Sequence, residues 1–223
     1  MSRRTPLSRP FAALCAAAGL AFALAGTVAA GPMKMMNRLE ALNALQSGQV
    51  MTKRMGLGRL AEVGTMDDVP AMLSQLLDED DMIRGIAEQA IWGVWMRAND
   101  STVDPMFQVA LDLMHQRRLG EAEAKFTEAI ALKPEFAEAW HRRAETRVMT
   151  DRWDAARQDF EKAIELNPYH FGAFEGLGHC SLHLGRSDLA VEYFRRALEL
   201  NPNMPDVPDA LERAERLAEN SRT

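Results

Sequence analysis

Apolar side chains return at three- and four-residue steps in several stretches of this chain, with charged residues between them, the spacing of one face of a helix. Leu39 to Gln46, Val50 to Val63, Met66 to Leu77 and Met82 to Met96 read as the first four helices. Asp209 to about Glu219 reads as the last, with Ala210, Leu211, Ala214, Leu217 and Ala218 on one stripe. Between them a longer period appears. Ala-Ile-Ala-Leu-Lys-Pro ends at Pro134, Ala-Ile-Glu-Leu-Asn-Pro at Pro168 and Ala-Leu-Glu-Leu-Asn-Pro at Pro202, each 34 residues after the one before. Phe126, Phe160 and Phe194 keep the same register, as do Ala122, Ala156 and Ala190, and the small residues Ala110, Ala144 and Gly178. Four columns in register predict three copies of one helical hairpin.

Each column has a packing reason. Bulky Met106, Trp140 and Phe174 fill the gap between the helices of a hairpin, and the small residue four later lets those helices approach. The Phe column packs inside its own hairpin, and Ala129, Ala163 and Ala197 make room for the next. The prolines end each second helix because they cannot donate the backbone hydrogen bond. Gly120, Asp151 and Gly185 mark the turn within each hairpin, and Leu119 and Trp153 stand beside it in two of the three.

These columns resemble the tetratricopeptide (TPR) repeat over residues 103–204, with Val109, Arg143 and Ser187 departing from the usual pattern. Before them, Leu-Leu-Asp-Glu-Asp-Asp-Met-Ile-Arg-Gly-Ile-Ala, residues 76–87, resembles a HEAT-type repeat, in which an Asp-rich turn precedes an apolar–Arg pair. Thirty residues earlier Arg54 matches Arg84 and Leu57 matches Ala87. The expected fold is therefore an all-α solenoid of helical hairpins. About two HEAT-like helix pairs (31–98) lead into three repeats (99–204; about 103–136, 137–170 and 171–204), and a capping helix and tail (205–223) close the end. Trp92 and Trp95 are expected to pack the junction onto the first repeat, with residues 99–104 as a hinge.

The first thirty residues read differently. Arg3, Arg4 and Arg9 precede an apolar run from Phe11 to about Gly26, followed by Val28-Ala29-Ala30, the plan of a cleavable signal peptide. The run falls short of the roughly 20 residues a membrane-spanning helix needs, so cleavage after Ala30 and release to the periplasm or beyond are expected, with no membrane span left. Neither a twin-arginine signal nor a lipid anchor is favoured, because Pro6 and Ala12 stand where those signals want large apolar residues.

Loss of the three arginines and no acid takes the formal net charge from −6 to −9, which argues against nucleic acid as a partner. Cys180 is then the remaining cysteine, so no internal disulfide is expected and helix packing must supply the stability.

In TPR arrays the first helix of each hairpin lines a concave groove, and the resemblance implies that a protein or peptide partner sits there. The groove positions are Asp104, Phe107, Leu111, Met114 and His115, then Glu138, His141, Glu145, Val148 and Met149, then Gly172, Glu175, His179, Leu182 and His183. The partner-binding residues expected from this set are Phe107, Leu111, His115, Glu138, His141, Glu145, Met149, Glu175, His179 and His183. The Lys and Asn set with which family members clamp acidic chaperone tails is missing here.

Chemistry other than binding finds little support. His141, His179 and His183 with Glu175 offer an alternative, a divalent-metal site in the groove, since His and Glu at four-residue spacing share a helix face. A solvated groove is the preferred reading of the same residues, and neither a metal nor any other cofactor is expected. Met33, Met35 and Met36 are read as packing residues rather than copper ligands. Gly56-Leu57-Gly58 lacks the strand a dinucleotide loop requires, and His179 and Cys180, adjacent on a helix, point about 100° apart. An enzyme is not expected.

Overall fold

The residue before each repeat proline leaves the helix in the same way. Lys133, Asn167 and Asn201 have φ/ψ of −140/78, −134/91 and −138/97, because the proline ring crowds a preceding residue out of the helical region. This extended step ends one hairpin and aims the chain into the next.

The computed structural model describes residues 35–222 of the 223-residue chain. The expected signal peptide, and Met33 of the methionine cluster, lie outside the described residues. From Met36 onward the chain is all-α, with no strand among the described residues. The N-terminal segment holds α1 (Arg38–Ala44), α2 (Val50–Val63), α3 (Val69–Leu73) and α4 (Asp81–Trp95). Then come α5 (Val103–His115) and α6 (Leu119–Leu132), α7 (Ala137–Val148) and α8 (Trp153–Leu166), α9 (Phe171–His183) and α10 (Ser187–Leu200), closed by α11 (Val207–Asn220). The first helices of the hairpins start at Val103, Ala137 and Phe171, one 34-residue period apart.

Local chemistry explains the ends. Asn37 and Glu40 form a reciprocal capping box on α1. The Asp-rich turn ends in Asp80, whose carboxylate accepts from the backbone N–H groups of Met82 and Ile83 and so starts α4. The amphipathic stretch 66–77 is broken rather than one helix: 3₁₀ turns at Met66–Asp68 and Ser74–Leu77 flank a single short α-helix that begins next to Pro70.

The turn inside each hairpin corrects one expectation. Arg117, Asp151 and Gly185 take the left-handed conformation, with φ of 61°, 59° and 72°. Gly120 instead lies inside α6. The column therefore reads Arg, Asp, Gly, and in the first repeat an arginine bears the strain that the third gives to glycine.

Packing follows the columns. Phe126, Phe160 and Phe194 are at most 2% exposed, and the Ala columns that face them are fully buried. Gly178 faces the ring of Phe194, where an added Cβ would lie 2.4 Å from a ring carbon. The departure at Arg143 is filled electrostatically: its guanidinium donates two hydrogen bonds to Asp159 of α8, at 2.8 and 2.7 Å, and packs over Trp140. Arg147 adds a third cationic contact to Asp159, 2.8 Å away.

The N-terminal segment does not simply precede the array. Its core is continuous with that of the third repeat and α11, joining Leu57, Met72, Ile83 and Ile91 to Phe171, Phe194 and Val207. Asn203 donates a 2.8 Å hydrogen bond to the Leu76 carbonyl, and Lys133 donates to the Ala98 carbonyl. Trp92 and Trp95 of α4 accordingly meet α7 and α9, of the second and third repeats, rather than the first hairpin.

Candidate functional site: the face of the first helices

α7 lies between α5 and α9, so the first helices of the three hairpins stand side by side and form one face. Over the second and third repeats α4 already covers part of that face. The Trp92 ring lies 5.9 Å from His141, 5.5 Å from His170 and 5.5 Å from Phe171, centroid to centroid, and Arg142 sits over it at 5.2 Å. Trp95 stacks on His170 at 4.6 Å. Gly172 leaves room for this contact, since a Cβ there would meet Trp92 at 3.2 Å.

Beneath the indoles lies a buried polar cluster. Glu138, His141 and His170 are at most 2% exposed. The Glu138 carboxylate accepts from Arg142 Nε at 2.6 Å and pairs with His170 Nε2 at 2.9 Å. His170 Nδ1 caps α9 by accepting from the Ala173 N–H at 3.2 Å, so the ring proton sits on Nε2 and is donated to Glu138. His141 Nδ1 is 3.5 Å from Glu138 Oε1 and makes no hydrogen bond.

Charge states follow from these contacts. Burial alone would raise the Glu138 carboxyl, but Arg142 and the two imidazoles outweigh it and hold the group well below the usual carboxylate range. Burial, helped by His141, pushes His170 down to about 4, so its ring is neutral at pH 7. Glu88 on α4 is raised by burial, and the charge of Glu175 adds to that shift. The thiol of Cys180 is pushed up to about 12 by burial, which leaves it protonated and unreactive.

The residues expected to bind a partner divide into two groups. Phe107 and Leu111 are buried in the core of the first repeat, where Phe107 packs on Phe126 and Phe136. Glu138 and His141 are buried under α4 and present no surface to a partner. Glu145, Met149, Glu175 and His179 are partly open, and His115 and His183 are exposed. The alternative metal set is not brought together: His179 lies 3.8 Å from Glu175, while His183 stacks on Trp153, centroids 4.1 Å apart. Instead, Glu138, His141 and His170 each bring one ligand atom within 4.8 Å of the others.

Sequence reasoning passed over His170, although a signal was there. It stands in the column Phe136, His170, Met204, whose other members are buried apolar residues, so a histidine there has to find buried polar partners.

The comparisons agree with this geometry. The sequence profile of the tetratricopeptide repeat family matches residues 108–169 and 150–205. Residues 108–205 carry tetratricopeptide repeats. Among solved structures, it is similar to the first TPR of Spaghetti (RPAP3) bound to the HSP90 peptide SRMEEVD. That likeness has 21% identity and a TM-score of 0.52, over 54% of this chain and 96% of the other. It is also similar to the Arabidopsis OM64 TPR domain, with 24% identity and a TM-score of 0.51 over 53% and 98% of the two chains. The Sgt2 TPR domain from Aspergillus fumigatus gives 19% identity and a TM-score of 0.52 over 55% and 83%. No curated protein sequence matches. The TPR array differs from a bare groove in one respect, the tryptophan pair of α4 seated on its second and third repeats.

Proposed function

We propose that this chain is an exported, non-catalytic adaptor that holds a protein or peptide partner on the open remainder of its TPR inner face. The observation that carries this reading is the division of that face. α4 covers Glu138 and His141, while His115, Glu145, Met149, Glu175, His179 and His183 keep surface toward solvent. That the solved TPR of Spaghetti (RPAP3) is described as bound to a peptide supports the same use here. Glu175, with Glu88 contributed by α4 beside it, gives the open strip an acidic edge, next to Glu145 that Arg142 pairs at 2.9 Å, which suits a partner segment carrying lysine or arginine. A net negative chain makes nucleic acid a poor partner. No helix of the described residues is long and apolar enough to cross a membrane.

A photo-crosslinking amino acid placed at Met149 or His183 tests the reading against one placed at Leu132, an exposed position on α6. A discrete crosslinked partner from the first two sites, absent from the third and lost when Glu145 and Glu175 are changed to lysine, supports it. Identical products from all three sites count against it. Export is checked separately by the mass of the protein recovered outside the cytoplasm, which is expected to begin at Gly31.

A further inference from the structure

We propose that Glu138, His141 and His170 form a buried binding site for a divalent transition-metal ion of the zinc class, set where the second and third repeats meet α4. Among the described residues this is the one trio of His, Cys, Asp and Glu whose ligand atoms converge within 4.8 Å. The separations approach those an ion requires, with the two imidazoles facing different oxygens of the Glu138 carboxylate. Glu138 Oε2 and His170 Nε2 are 2.9 Å apart, and Glu138 Oε1 and His141 Nδ1 are 3.5 Å apart. Two donors each about 2.1 Å from a tetrahedral ion stand about 3.4 Å from one another.

The second observation is His141 itself. Its Nδ1 is buried in a residue 2% exposed, faces the Glu138 carboxylate and has no hydrogen-bond partner. Buried ring nitrogens are normally satisfied, and an ion between the three side chains would take this lone pair. The other nitrogen of the ring, Nε2, lies 3.9 Å from Glu145 Oε1, the place where a metal-bound histidine keeps an outer carboxylate. Arg142 Nε donates to Glu138 Oε1 at 2.6 Å, the oxygen nearer His141 Nδ1, and so fixes the carboxylate in place.

Surroundings and access also fit. The rings of Trp92, Trp95 and Phe160 pack against the two imidazoles and keep bulk water away. A cleft of about 300 Å3, lined in part by Trp95, Ala98, Phe136 and Glu138, lies between α4 and the loop before α7. Two imidazoles with one carboxylate favour zinc-like ions over calcium or magnesium, which take all-oxygen sets. On binding, the His170 proton passes from Nε2 to Nδ1 at the expense of the 3.2 Å bond from Ala173, the ring stays neutral, and water from the cleft completes the coordination. The ion would tie α7 to the start of α9 beneath α4. The proposal stands independently of the adaptor reading.

The test is titration of the chelator-treated full chain with zinc chloride by calorimetry, with cobalt(II) as the optical probe. One ion per chain, a higher melting temperature with zinc and a tetrahedral cobalt spectrum are expected. His141→Leu, which removes one of the three ligands, is expected to abolish all three, and His183→Ala to leave them unchanged. The absence of a heat and a spectrum in the parent chain overturns the proposal, as does binding that survives His141→Leu or is lost with His183→Ala. Imidazole NMR of the parent chain decides without any variant. Zinc should move the ring signals of His141 and His170 and leave those of His115, His179 and His183 in place; any other pattern overturns the assignment.

Discussion

The indole of Trp95 lies against the imidazole of His170, ring centroids 4.6 Å apart and planes 27° apart. One ring belongs to the last turn of α4 and the other caps α9, so the contact ties the N-terminal segment to the start of the third repeat. Trp95→Ala is expected to cost about 3–5 kcal/mol, the usual loss for truncating a buried aromatic side chain. Urea unfolding measures it. A loss under 1 kcal/mol would mean that α4 is not held on the array by this contact.

His170 and Glu138 make stability depend on pH in one direction. Unfolded histidine binds a proton near pH 6.5, while folded His170 does so only near 4, so the unfolded chain holds more protons between those values. Stability attributable to this ring is complete above about pH 6.5 and falls as pH drops toward 4, at up to about 1.4 kcal/mol per pH unit. Glu138, held below its ordinary value, adds a loss of the same sign below about pH 4.5. Urea midpoints at pH 7 and pH 5 should show the decline, and His170→Gln should flatten it; a midpoint unchanged across that range contradicts a buried neutral ring.

Gly178 stands in the column of Ala110 and Ala144, yet alanine is expected to be unwelcome there. Its Cβ would sit 2.4 Å from the Phe194 ring, inside any real contact distance. Overpacking of this kind costs about 1–3 kcal/mol, more than the helix propensity that alanine would regain. Gly178→Ala should therefore lower the thermal midpoint, and a rise would show that the ring can move aside.

Arg117 carries a φ of 61° in a turn whose third-repeat counterpart is Gly185. Relieving it with Arg117→Gly should stabilise the chain by about 0.5–1 kcal/mol, the left-handed strain less the extra freedom glycine gives the unfolded chain. Calorimetric melting of the single variant is sufficient. Destabilisation would mean that the arginine side chain makes an interaction worth more than the strain.

Much of the architecture could be read directly from residues such as Phe126, Phe160 and Phe194, or Pro134, Pro168 and Pro202, because their effects are local. A proline ends its own helix, and a phenylalanine two turns into the second helix of a hairpin packs within that hairpin and against its neighbour. Repetition then multiplied each local rule three times, which separated signal from chance. The turn was read less well: the 34-residue period places Arg117 with Asp151 and Gly185, but glycine propensity drew attention to Gly120.

The candidate site was legible only in outline. The sequence placed Glu138, His141, Glu145, Glu175 and His179 on one face of the array, because helical periodicity alone decides which side chains share a face. Only the tertiary structure decided which of them remain open. Trp92 and Trp95 reach partners 49 to 79 residues further along the chain, from His141 to Phe171, and no local spacing encodes which hairpin they meet. That choice rests on shape and on partners available in three dimensions: the space left by Gly172, the aromatic wall of His170 and Phe171, and a buried carboxylate held by Arg142. Periodic contacts are written in the chain because they repeat, whereas the docking of α4 occurs once and depends on surfaces that exist only after the hairpins have stacked.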